Sequence, residues 1–252
     1  MSNISSNSLF HFTSKIEYLL NIVENGFSPR YCLESATLST ESEREGIGQI
    51  TPMVCFCDIS LSQITKHIDR YGKCGIGMTK EWGVKNKLNP VIYINTNSKL
   101  SNSFSRLTNS IVALLGEHCT ENTKNASDEL MSLLKFIKPY EGFDENSNEH
   151  NVKFYDEKEW RYVPEMSFDT QIENSISISE YKNPITLQKA NEKLKDYELK
   201  FSPEDIRYIF VPTQKEIHDV IFALKKAKIF SPEEIEIITT KILIVEQIID
   251  DF

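Results

Sequence analysis

The 252-residue sequence predicts an α+β fold, and three observations lead to that prediction. Six short apolar or alternating runs, each bounded by turn or cap signals, have the length and pattern of strands. Stretches with helical spacing of apolar residues stand between them. The two kinds of element interleave irregularly. We therefore expect a bent or split, mostly antiparallel sheet with helices packed around it.

The first element is the strand "LFHFT" (9–13), in which His11 stands between two phenylalanines. A helix should follow directly, because apolar residues then recur at helical spacing. Ser14 and Glu17 have the spacing of a capping box at its start. Gly26 supplies the residue that ends it.

Residues 28–50 combine turn residues with mixed charge and predict a long, partly mobile loop with a possible short helix. "PMVCFC" (52–57) is a buried strand, and the helix after it should end at Gly72. "CGIGM" (74–78) predicts a strand whose glycines let another backbone or a ligand approach closely. "NPVIYIN" (89–95) is the next strand.

The middle of the chain predicts helices over 104–118 and 127–138, then an acidic, turn-rich loop over 139–151. "VKFYDEKEWRYVP" (152–164) alternates around a charged centre and predicts a strand. That segment carries the densest group of charged side chains in the sequence.

The last part of the chain repeats one local device, a serine followed by proline and acids, at Ser202 and Ser231. Strands are predicted over 206–212 and, in "KILIVEQII", over 241–249, with a helix starting at Thr213. We interpret 1–252 as one domain with a possible C-terminal extension at 202–252.

Composition limits the functional classes. The net charge of −9 and pI near 5.2 argue against passive nucleic-acid binding. No run of 18 apolar residues could span a membrane, and the polar N-terminus does not resemble a signal peptide. The five cysteines are too few for a disulfide scaffold, so we expect a soluble cytoplasmic protein. Cys55 and Cys57 could be metal ligands, but we favour small buried side chains and predict no metal.

Tyr155, Glu157, Glu159 and Arg161 would share one face of the predicted strand. Two neighbouring carboxylates repel each other, which can raise the pKa of one and create an acid–base pair. Arg161 should pair with an acid, most directly Glu159, and hold the charged face. The alternative is a solvated strand face with an ordinary ion pair.

His11 also has two interpretations: a core histidine with a hydrogen-bond partner, or part of an active site completed elsewhere. Tyr71 ends its helix beside glycines that open space around it. The sequence contains no zinc-protease, P-loop, nucleophile-elbow or dinucleotide-binding motif.

Several segments together closely resemble the AbiGi family of bacterial abortive-infection proteins, from about residue 9 to 225. They are "LFHFT", "NGF.PRYCLE", "PMVCFCDISLSQI", "GIGM.KEWG", "NPVIYIN" and "EKEWRYVP". The resemblance implies an antitoxin, a regulator or a sensor of infection in a two-gene phage-resistance system. Its partner would be a nucleotidyltransferase-type toxin, which the acids at 141–149 could meet.

The layout is more distantly similar to ADP-ribosyltransferase folds of the DarT type. That resemblance implies NAD as cofactor, held by His11, Thr13 and Tyr71. His11 and either Glu157 or Glu159 would be catalytic, with nucleic acid or protein as substrate. Nucleic acid is expected as a partner only under this transferase hypothesis. A third hypothesis is a scaffold without activity that forms homo-oligomers.

Overall fold

The computed structural model describes residues 6–34, 49–144, 149–165 and 172–251. The described residues form twelve strands and ten α-helices. The strands are β1 Ser8–Thr13, β2 Arg30–Glu34, β3 Gln49–Cys57, β4 Cys74–Thr79, β5 Asn89–Pro90, β6 Ile92–Ile94, β7 Ile137–Pro139, β8 Gly142–Asp144, β9 Glu149–Val152, β10 Glu159–Tyr162, β11 Ile206–Val211 and β12 Ile242–Ile244. The helices are α1 Ile16–Asn25, α2 Ile64–Tyr71, α3 Lys80–Lys85, α4 Lys99–Glu117, α5 Glu121–Leu134, α6 Ile178–Lys182, α7 Pro184–Glu192, α8 Ile217–Ala227, α9 Pro232–Thr239 and α10 Val245–Asp251.

An eight-stranded sheet dominates the fold, in the order β12-β11-β4-β1-β3-β10-β5, with β2 also paired to β3. Strands β11 and β12 are parallel, and every other pair is antiparallel. The α+β, mostly antiparallel prediction is therefore confirmed. Strand β1 pairs with β4 over six residues but with β3 only at Phe10 and Cys57. The join between β1 and β3 is thus the narrowest in the sheet.

Two small sheets lie outside the main one. Strands β6 and β7 form a parallel pair, and β8 and β9 form an antiparallel hairpin. The strand predicted at 89–95 is divided into two. Its first part, β5, pairs with β10 in the main sheet, whereas its second part, β6, pairs with β7 in a small sheet.

The main sheet buries both of its faces. One face packs against α1 and α8 through a large cluster that includes Leu9, Phe56 and Trp82. The opposite face packs against α2 and α10 through a smaller cluster that includes Phe10 and Ile68. Alternate residues of β1 therefore enter different clusters, as the strand period of two requires.

Three predicted segments differ from the structure, and one of them is the loop predicted at 139–151, which contains β8 and most of β9. The loop predicted at 28–50 contains all of β2 and the start of β3, because the pairing of these strands outweighs their local turn composition; residues 35–48 lie outside the described residues. The strand predicted at 152–164 is a 3-10 helix over Phe154–Glu157 followed by β10. Lys158 has φ 43, a left-handed conformation that separates the two elements.

Two predicted helix boundaries and one predicted strand also require correction. Lys15 is the N-cap of α1 and no side chain caps that helix, so the Ser14–Glu17 capping box is wrong. Helix α5 ends at Leu134 because the next residues enter β7. Only 242–244 of the strand predicted at 241–249 is extended, and α10 follows it.

The terminal stretch 202–252 contributes β11 and β12 to the main sheet. Its capping devices were predicted correctly, since Ser202, Thr213 and Ser231 each cap a helix in a capping box. Among the described helices, none has the length and apolar character needed to cross a bilayer.

The close approach predicted for the glycine strand is present at Gly75. A Cβ on this residue would lie 2.6 Å from the Phe12 ring and 2.9 Å from the carbonyl oxygen of His11. We expect Gly75→Ala to lower the free energy of unfolding by about 1–3 kcal/mol in urea denaturation, because the ring and strand must shift. Gly116 of α4 has open space around it, so Gly116→Ala should stabilise the protein by up to about 1 kcal/mol. Equal effects of the two substitutions would contradict this account.

Candidate functional site

The two glutamates of "EKEWR" reach one place from different elements. Glu157 ends the 3-10 helix and Glu159 begins β10, with the left-handed Lys158 between them. Lys138 of β7 nevertheless bonds both, its Nζ lying 2.8 Å from Glu157 Oε2 and 3.1 Å from Glu159 Oε2. The two acids are therefore neighbours as expected, although they do not share a strand.

Arg161 lies at the centre of this site and is 1% exposed. Its Nε and Nη2 both donate to Glu159, with Nε 2.6 Å from Oε1 and Nη2 3.2 Å from Oε2. Nη2 also donates to Glu34 Oε2 at 2.7 Å, and Nη1 donates to the Lys135 carbonyl at 2.7 Å. The prediction that Arg161 pairs with Glu159 is confirmed.

Glu157 is bonded from the opposite side by α2. Arg70 Nη1 and the Tyr71 hydroxyl each lie 2.8 Å from Glu157 Oε1. Arg70 Nη2 also lies 2.8 Å from Asp144 at the end of β8. The β8–β9 hairpin is thereby joined to α2 through one guanidinium.

We refer to these seven charged side chains as the ion-pair cluster; they are Glu34, Asp144, Glu157, Glu159, Arg70, Lys138 and Arg161. All four oxygens of Glu157 and Glu159 accept a hydrogen bond from a cation, and one also accepts from Tyr71. The site therefore leaves neither carboxylate without a partner, which is the arrangement that buried charges require.

The pKa values of Glu159 and Lys138 move away from neutrality. Burial alone would raise the pKa of Glu159, but Arg161 and Lys138 outweigh it and hold that pKa well below its usual range. Burial would lower the pKa of Lys138, but Glu159 and Glu157 raise it well above its usual value. A general acid or base needs a pKa near the working pH. Glu159 and Lys138 instead remain charged as a pair.

The tyrosines near the ion-pair cluster act as neutral hydrogen-bonding groups. The Tyr93 hydroxyl accepts from the Glu159 backbone N–H at 2.8 Å, and burial raises its pKa. Burial and Glu157 raise the pKa of Tyr71, although the residue as a whole is 38% exposed. The rings of Tyr93 and Tyr140 both contact Tyr155. Tyr93, Tyr140 and Tyr155 therefore form an aromatic group that reaches the ion-pair cluster through the bond between Tyr93 and Glu159.

His11 lies on the other face of the sheet. Its ring packs against Phe27 and Phe56, in the cluster beneath α1 and α8. Its Nδ1 donates to the carbonyl oxygen of Cys55 at 2.7 Å, across the narrow join between β1 and β3. Thr13 donates to the Lys15 carbonyl at 3.2 Å. His11 thus has the contacts of a structural histidine.

The structure brings Tyr71, Glu157 and Glu159 together but not His11 or Thr13. The sequence interpretation missed Glu34, Arg70, Lys138 and Asp144, which come from four separate elements. One signal was available for Lys138, a charged residue between buried Ile137 and Pro139. The other three show no local pattern that distinguishes them from surface charges.

The Cys55–Cys57 pair has thiols suited to packing. Burial raises the pKa of both, which disfavours the thiolate that metals bind. Cys57 donates to the Phe10 carbonyl. Within the described part of the chain, no group of three His, Cys, Asp or Glu side chains could hold a metal ion.

Replacement of Arg161 tests the ion-pair cluster. Arg161→Lys keeps the charge but cannot make the same set of bonds to Glu159, Glu34 and Lys135. We expect a loss of at least about 2 kcal/mol in the free energy of unfolding, because buried acceptors lose their donors. The exposed Arg207 provides the control, and Arg207→Lys should stay within about 0.5 kcal/mol. Equal stability of the two variants would refute a structural role for the cluster.

The contacts of His11 predict a pH dependence. Burial lowers its pKa from 6.5, and the bond to Cys55 offsets this only in part. The folded protein therefore binds a proton at His11 less readily than the unfolded chain does. The free energy of unfolding should be highest above about pH 6.5 and should decrease as the pH falls below that value. His11→Gln should reduce that decrease in urea unfolding between neutral pH and about pH 5. His218→Gln, at an exposed position of α8, should leave it unchanged; the same decrease in all three proteins would contradict the role of His11.

Comparison with known proteins supplies the family. The model of a family described as "Putative abortive phage resistance protein AbiGi, antitoxin" matches residues 25–212. A protein of Lactococcus lactis subsp. cremoris, named "Abortive phage resistance protein AbiGi", is 30% identical over 250 residues, covering 90% of this chain and 99% of its own length. No solved structure matches the chain. The family match runs from the end of α1 into the segment after β11, and so includes the whole ion-pair cluster. The chain belongs to the AbiGi family of abortive phage resistance proteins.

Proposed function

We propose that this chain is the antitoxin of an abortive phage-resistance pair and acts by binding its toxin rather than by chemistry of its own. The family description supports the antitoxin role. The partner proposed is a nucleotidyltransferase-type toxin, as the family resemblance implies.

The observation that carries this proposal is that the carboxylate oxygens of Glu157 and Glu159 are all hydrogen-bonded. Every oxygen of the two carboxylates accepts a bond from Arg70, Lys138 or Arg161. A transferase glutamate has to meet the substrate, and these acids meet cations of their own chain instead. The arrangement supports a folded binding surface that the ion-pair cluster holds in shape.

Encounter with the toxin would use the acidic surface. Of the acids at 141–149, Asp144 is buried and bonded to Arg70, and residues 145–148 lie outside the described residues. Glu141 and Glu149 are exposed. With a net charge of −9, the chain would attract a basic toxin surface, which raises the association rate more than the final affinity.

The second candidate is an NAD-dependent ADP-ribosyltransferase acting on nucleic acid or protein. One observation favours it: Tyr71 bonds Glu157 at 2.8 Å while the residue stays partly exposed. His11 and Thr13 do not fit a shared NAD site with this pair, because the His11 ring packs on the opposite face of the sheet. The antitoxin hypothesis therefore has the stronger support.

Expression of each gene alone, and of both together, separates the two candidates. This chain alone should leave growth and cellular NAD unchanged, and its co-expression should restore growth in cells that make the toxin. The purified chain should consume little NAD. Glu157→Gln should still bind the toxin in a pull-down below its melting temperature, since binding would not use the charge directly. Tyr71→Phe, which removes one hydroxyl from the same site, is the matched control.

The opposite result has a clear form. Toxicity of this chain alone, with NAD cleavage that Glu157→Gln abolishes, would replace the antitoxin proposal with the transferase. Removal of one such preorganised group typically lowers the rate by about a hundredfold or more, which an NAD assay detects readily.

A further inference from the structure

We infer that α4 and α5 form a dimerisation surface that binds a second copy of this chain. The two helices are joined by residues 118–120 and form an antiparallel hairpin. Among its helical residues only Ser101 and Leu130 are buried. The hairpin packs on the rest of the fold at its base, where Phe104 and Leu134 meet Ile94 and Ile137.

A leucine stripe runs along the outside of α4. Leu100, Leu107 and Leu114 are seven residues apart and 45–52% exposed. Phe104 and Ile111 lie between them, which completes the alternating spacing of four and three residues found in coiled coils. These two are half-buried, and Phe104 packs against Ile94 and Ile137, whereas the three leucines are exposed and form a second apolar row.

Leu133 of α5 extends this surface. At 100° per residue in an antiparallel pair, Leu133 projects to the same side of the hairpin as the leucines of α4, and it is 55% exposed. Ser103 and Ser110 lie beside the leucines, so the centre of the surface is uncharged. We call the surface formed by Leu100, Leu107, Leu114 and Leu133 the leucine face.

The helices need such a partner. Seven of the nineteen residues of α4 are Ser, Asn or Thr, which have low helix propensity. Helical segments of this length gain most of their stability in water from packing. A face that combines weak propensity with exposed leucines is therefore typical of a helix that is covered in the assembled protein.

Size and charge favour a second copy as the occupant. Helix α4 is about 28 Å long, and with α5 packed about 10 Å away the leucine face projects about 500 Å². Two such faces would bury about 1,000 Å² in total, which is the lower limit for a specific protein–protein interface. The flanks carry both signs, with Arg106 on α4 and Glu129 on α5, so two copies need not repel each other. Two hairpins face to face would form a four-helix bundle.

This inference does not depend on the antitoxin proposal, and sedimentation equilibrium of the purified full chain tests it. The wild-type protein should sediment at twice the chain mass of 29.1 kDa. Leu107→Glu, which places a charge at the centre of the leucine face, should raise the dimer dissociation constant by roughly thirtyfold or more. The matched control is Ile185→Glu on α7, at a position 67% exposed and outside the hairpin, which should remain dimeric.

Circular dichroism and a melting curve establish that Leu107→Glu is folded, and Leu114→Glu provides a second variant with the same expected loss. A monomeric wild-type protein at all concentrations would overturn the inference. A dimer that survives both leucine substitutions would also overturn it, because the interface would lie elsewhere. A monomeric wild-type protein whose toxin binding fails with Leu107→Glu would assign the leucine face to the toxin instead.

Discussion

The buried guanidinium of Arg161 is the constraint on which the arrangement of this fold depends. A charge so fully removed from water must be paired, because an uncompensated buried charge is strongly destabilising. Glu159, Glu34 and the Lys135 carbonyl meet that requirement. The bonds of Glu159 then connect Arg161 to the rest of the ion-pair cluster. Lys138 bonds both Glu159 and Glu157. Glu157 also bonds Arg70, whose guanidinium binds Asp144 of the β8–β9 hairpin. One strand residue thus sets where α2, β7 and β8 lie against the main sheet.

The same bonds bear on function, because they hold Glu157 and Glu159 as partners of cations from their own chain. The sequence "EKEWR" is compatible with an acid–base pair and with a structural ion pair, and only long-range partners distinguish the two. Here the partners lower the pKa of Glu159 rather than raise it towards neutrality. Buried ion pairs add little net stability over apolar packing, but a broken one is costly, so they favour one arrangement over others. That property would suit the toxin-binding role that we propose for this chain.

The features that the sequence predicts depend on residues close together in the chain, and the features that it misses depend on residues far apart in the chain. Strands such as β1, β3, β4 and β11 were predicted because burial and turn signals are local. The helix starts at Ser202 and Ser231 were predicted for the same reason, because a serine followed by proline and acids is a local signal. Strand β2 was missed because its evidence is the pairing with β3, and the break at Lys158 was missed because lysine gives no sign of a left-handed conformation. Within the site, Glu157, Glu159 and Arg161 could be predicted as a group, whereas Lys138 becomes identifiable only once β7 is placed.

The ion-pair cluster and the α4–α5 hairpin meet at β7. Ile137 packs against Phe104 and Leu134 at the base of the hairpin, and its neighbour Lys138 bonds both glutamates of the cluster. Successive strand residues point to opposite sides, so one three-residue strand holds the hairpin on one side and the charges on the other. The hairpin that bears the leucine face is therefore packed against the rest of the fold at its base. Its direction relative to the main sheet is set through β7 by the bonds that neutralise Arg161, so the buried charge also fixes the orientation of the face that we propose as the dimerisation surface.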